Sequence, residues 1–177
     1  MQAWDDVVSR LQSVMNSYAH AILVIDLLAE ALDVSGLSES DVCLYVGCNA
    51  STPIQVNISG RAVAWTGSRG GLAYFGMLLD SPSLAKKMAT FIPGARIEKF
   101  STSLGLKLPL DVLAEQISSL RESWHSAIMF QTQRKAKSTG ESFYNPYRNR
   151  YHQPGLYQLL VNQSQRHEVV RAAFPAG

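Results

Sequence analysis

Ile54-Gln55-Val56-Asn57-Ile58-Ser59-Gly60-Arg61-Ala62-Val63-Ala64-Trp65 is the stretch that decides the fold. Apolar residues at 54, 56 and 58 alternate with Gln55 and Asn57, the period of a half-buried strand. Ser59-Gly60 supplies a tight turn, and an apolar run over 62–66 follows at once. Two strands joined so closely read as antiparallel neighbours. Upstream, Val42, Leu44 and Val46 alternate with Cys43 and Tyr45, which predicts a third strand over 42–47.

Before these strands, Val7, Leu11, Val14, Tyr18, Ile22, Ile25, Leu28 and Leu32 recur every three or four residues. That stripe predicts one continuous helix over about 3–33, ended by Gly36. Leu23, Val24 and Leu27 widen the apolar face, so this helix needs a cover. Downstream, Gly67-Ser68-Arg69-Gly70-Gly71 reads as a strand-to-helix turn, with a weak anion-holding alternative. Helical stretches are predicted over 71–92, with Ser81-Pro82 restarting a helix. Strand-like runs at 95–100 and 102–108 follow. Leu113, Ile117, Leu120, Trp124 and Ile128 then mark an amphipathic helix over about 109–131. The expected fold is α+β in the order α-β-β-β-α-β-β-α. A twisted antiparallel sheet would pack against helices.

The chain has 177 residues, 46% apolar and 17% charged, enough for one globular domain over 1–130. Residues 131–177 read as a partly irregular extension with a short helix at 156–161. The net charge of +2 is unevenly shared: residues 1–88 balance at −3 and residues 89–177 at +5. Such asymmetry suits a charged partner or two self-complementary surfaces. Cys43 and Cys48 read as reduced, buried thiols of a cytoplasmic protein. The acidic start is no ordinary secretory signal. The apolar stretch 19–32 contains His20, Asp26 and Glu30 and is too short to span a bilayer.

No catalytic or metal chemistry stands out. His20, His125, His152 and His167 never fall at metal-ligand spacing, and no nucleophile motif is present. Asp26 and Glu30 read as a solvated helix face. No cofactor and no enzymatic activity are expected. The tail combines Arg134, Lys135, Lys137, Arg148 and Arg150 with Phe143, Tyr144, Tyr147 and Tyr151. Cations can neutralise phosphates and aromatics can stack on bases, so a coat-like, nucleic-acid-binding protein is the alternative reading.

Five segments carry a family resemblance: 25–37, 43–46, 54–58, 72–79 and 104–124. Together they resemble the small cytoplasmic effector chaperones of bacterial type III secretion, across roughly 22–130. The chain departs from that family in its early first helix, its basic balance and its long tail. The resemblance implies a non-catalytic homodimer that binds an extended client segment. By position it implies client contacts at Ile22, Leu28, Val46, Ile54, Val56 and Ile58. It places dimer contacts at Leu72, Phe75, Leu79 and Ile97, the first three on a helix.

Overall fold

The structure is a computed structural model that describes residues 2–47, 54–100, 103–137 and 151–176. Helices α1 (Gln2–Val14) and α2 (Tyr18–Ser35) precede strands β1 (Cys43–Val46), β2 (Ile54–Ile58), β3 (Arg61–Arg69) and β4 (Leu72–Leu79). Helix α3 (Pro82–Phe91), strands β5 (Arg96–Lys99) and β6 (Leu104–Pro109) and helix α4 (Leu110–Lys137) follow. Helices α5 (Leu156–Val161) and α6 (Gln163–Ala173) close the described chain. The fold is α+β, as the pattern predicts.

All six strands form one antiparallel sheet in the order β1-β2-β3-β4-β6-β5. Register sorts its residues into two faces. Leu44, Val56, Ala64, Met77, Leu106 and Ile97 face one another in a single row. This apolar side lies under α2 and α4, where Phe75 meets Trp124 edge-on at 6.0 Å. The next row, on the other side, runs Tyr45, Gln55, Trp65, Gly76, Lys107 and Arg96. There the Trp65 indole lies over Gly76 and Gly105, so close that a Cβ would stand 2.1 Å and 2.6 Å from it. Phe100 closes over it edge-on at 5.9 Å, and the indole is only 3% exposed. The glycines exist to make room for that ring.

Register slips between Val56 and Asn57, leaving Val63 as the extra residue of a β-bulge. Its carbonyl accepts the indole N–H of Trp124 at 2.9 Å. A fully buried Trp needs such a partner, because an orphaned buried N–H costs about 1–3 kcal/mol.

The structure differs from the sequence reading in the first helix, in Leu72–Leu79 and in the added helix α6. The long first helix is broken at residues 15–17, and Ser17 caps α2 by accepting from His20 N at 3.1 Å. The spacing of four from Val14 to Tyr18 keeps the stripe in phase across the break. Leu72–Leu79 is a strand, not a helix. It lies between β3 and β6 with Phe75 to Leu79 all buried, so both of its faces are apolar and no period of two is visible. Gly67–Gly71 is consequently no helix N-terminus. Gly70 and Gly71, with φ of 59° and 80°, make the β3–β4 hairpin turn.

The end of the chain belongs to the body. Leu156, Leu159, Leu160, Val169, Val170 and Ala173 join the same core as α1 and α2. A boundary at 130/131 falls inside α4. Gln153 N donates to Leu44 O at 2.8 Å, and Leu44 N donates to His152 Nδ1 at 3.0 Å. The outer edge of β1 is therefore capped. No helix among the described residues is long and apolar enough to cross a membrane.

Candidate functional site

The six positions expected to meet a client do not form an open surface. Leu28, Ile54, Val56 and Ile58 are at most 1% exposed, and Ile22 and Val46 are half-buried against the same core. The strand β2 has neighbours on both sides, so it has no edge to lend to a foreign strand. Of the positions expected at a dimer contact, Phe75 and Leu79 are sealed inside the subunit. Leu72 is 67% exposed at the hairpin turn, and Ile97 is half-buried on β5. Tyr144, Tyr147, Arg148 and Arg150 lie outside the described residues, as does Cys48; Lys135 and Lys137 lie on the last turn of α4, and Arg134 is exposed there.

Open apolar surface gathers elsewhere, beside the second half of α4. The helix is fixed at two points. Ser123 Oγ donates to Asp80 Oδ1 at 2.5 Å and accepts from Asp80 N at 3.2 Å and Ser81 N at 3.3 Å. At the other end, Ser59 Oγ donates to Gln131 O at 2.9 Å. Leu120, Trp124, Ala127 and Ile128 face the core, which turns Met129 and Phe130 outward. They are 42% and 58% exposed, though exposed apolar bulk on a helix so well seated serves no packing purpose.

These side chains border a groove of about 740 Å³ whose wall includes Leu78, Leu79, Pro82 and Ala127. Its polar lining is Asp80, Ser103, Glu122, His125, Ser126, Gln131 and Gln133. Ser103 Oγ is shut off from solvent and has no hydrogen-bond partner among the described residues. A hydroxyl in that position costs about 1–3 kcal/mol until something bonds to it.

The histidines serve as contacts between elements. Each pairs with a carboxylate of another element: His20 with Asp111 at 3.4 Å, His125 with Glu30 at 2.9 Å, His152 with Glu39 at 3.1 Å and His167 with Asp26 at 2.8 Å. Asp26 also takes Arg166 at 2.8 Å, and Glu30 takes Arg121 at 3.1 Å. The two acids read as a solvated face instead fasten α6 and α4 to α2. Among the described residues, no three His, Cys, Asp or Glu side chains converge as a metal site.

A second cluster lies on the other side of the sheet. The Arg61 guanidinium stands 4.7 Å over the Phe100 ring, and Lys107 Nζ lies 5.2 Å from the Tyr74 ring. Burial first, and the charge of Arg134 second, hold Arg61 below its ordinary value. Burial first, then Glu98, raise the Tyr74 phenol, with Arg69 opposing. These aromatics are engaged with cations and with each other, and Trp65 offers no free ring face for a base.

The groove was hidden from sequence reasoning because its walls come from segments fifty residues apart. The signal that could have found it is Met129-Phe130, two large apolar residues off the stripe of α4. No family model matches the chain, and neither a curated protein nor a solved structure matches it.

Proposed function

We propose that this protein is a non-catalytic polypeptide-binding module of the secretion-chaperone kind, working in the cytoplasm as a homodimer. Its client is an extended, apolar segment of another protein, held in the groove beside α4. The observation that carries this reading is Met129 and Phe130 standing exposed at the rim of a 740 Å³ groove, on a helix otherwise sealed to its sheet. A disordered segment loses ordering entropy on binding and must bury apolar area in return. Met129, Phe130 and the exposed Pro82 offer that area.

The second copy meets the first along β5. Nothing among the described residues pairs with its outer edge, and β5 ends the sheet. A two-fold antiparallel pairing centred on Ile97 sets Arg96 opposite Glu98 of the other copy, twice, with Ile97 beside its equivalent. Two sheets would then join into one.

A fluorescein-labelled twelve-residue peptide of alternating Leu and Ser tests the client site by anisotropy. Wild-type protein binds it, and Phe130→Asp weakens binding by about tenfold or more, the loss of one buried aromatic anchor. Equal binding by both proteins, with F130D folded by circular dichroism, refutes the groove as the site.

A further inference from the structure

We infer that the groove beside α4 selects a client segment bearing Lys or Arg among its apolar residues. This rests on the groove being the client site and adds the charge of what it takes. The lining holds two carboxylates, Asp80 and Glu122, and no Lys or Arg. Both acids are exposed. Asp80 accepts one hydrogen bond, from Ser123 on Oδ1, which leaves Oδ2 for an incoming cation. Glu122 makes no hydrogen bond or ion pair among the described residues, whereas Asp26 and Glu30 on α2 are engaged. Asp26 and Glu30 each hold an arginine and a histidine, and Glu39 holds His152. His125, the one lining residue able to carry positive charge, is turned to Glu30 at 2.9 Å.

The negative lining is local and runs against the whole. The chain carries +2, and the half containing α4 is its basic half. A general attraction of the protein for cationic peptides therefore does not account for the preference. The arrangement favours cations near Asp80 and Glu122 and apolar side chains over Met129 and Phe130.

The test uses three labelled peptides on the full chain: the Leu/Ser peptide, a variant with Lys replacing four Ser, and one with Glu at the same four positions. The lysine peptide should bind about three- to tenfold more tightly than the serine peptide at low salt, and the glutamate peptide more weakly. The advantage should shrink toward parity near 1 M salt, where the screening length falls to about 3 Å. E122K should invert the order of the two charged peptides. D80N should narrow it. Equal affinity for all three peptides, with F130D still weakening binding, leaves the groove standing and overturns the charge rule. No binding of any peptide overturns both.

Discussion

Replacing Gly76 by alanine sets two opposing terms against each other on the outer side of the sheet. In an open strand the change is favourable by about 0.5–1 kcal/mol, because glycine loses more backbone freedom on folding. Here the new methyl would stand 2.1 Å from Cε2 of Trp65. The backbone cannot retreat, since β4 is hydrogen-bonded to β3 and β6 along its length. The indole cannot slide toward β6, because it already rests on Gly105, nor lift freely, because Phe100 closes over it. Overpacking of this kind costs about 1–3 kcal/mol, and an expelled indole forfeits part of the roughly 3–5 kcal/mol that a buried Trp contributes. The steric term wins. G76A should lose about 2–3 kcal/mol, or about 4–12 °C in Tm for a chain of this length. Guanidinium unfolding followed by circular dichroism, at one fixed protein concentration, measures it. In a Trp65→Leu background the same substitution should cost less than about 0.5 kcal/mol, since the obstacle is gone. A G76A protein as stable as its parent, or more so, refutes the account of why glycine stands there.

The β5 pairing makes a sharper statement than dimerisation alone. R96E sets like charges opposite each other twice and should raise the dimer Kd about five- to thirtyfold, from roughly 1–2 kcal/mol of lost cross-strand pairing. R96E combined with E98R should restore it by light scattering, and a monomeric wild type would refute the pairing outright. The Tyr74 phenol should ionise above its ordinary 10.0, through burial and Glu98. A raised folded value means its contribution to stability is complete below pH 10 and is lost as pH climbs through the folded value. The 295 nm absorbance difference between the protein and Tyr74→Phe reads this directly, and ionisation at or below 10 contradicts it.

Much of the architecture is legible in the residues. The alternation at Ile54–Ile58, the Ser59-Gly60 turn, Gly36 as a helix stop and the stripe from Leu113 to Ile128 all correspond to observed elements. Local physics fixes each of them, so local sequence reports them. Leu72–Leu79 is different. A strand buried on both faces and a helix buried all round present the same unbroken apolar run, and only the neighbours β3 and β6 decide between them. The burial of Ile54, Val56 and Ile58, expected as client contacts, was hidden for a related reason. Alternation shows that one face is apolar, not whether that face is covered, and α2 and α4 cover it. The groove depends on the roll of α4 about its axis, which Ser123 and Trp124 set through contacts 43 and 61 residues away in the chain.

The capping of β1 by residues 152 and 153 has a consequence for synthesis. Leu44 and its histidine partner are 108 positions apart. At about 5–20 residues per second, the first strand leaves the ribosome roughly 5–20 s before its cover is made. Throughout that interval the nascent chain carries a bare hydrogen-bonding edge. Translation speed, or a holding factor near the exit, thus enters the yield of folded protein even though neither changes the final stability.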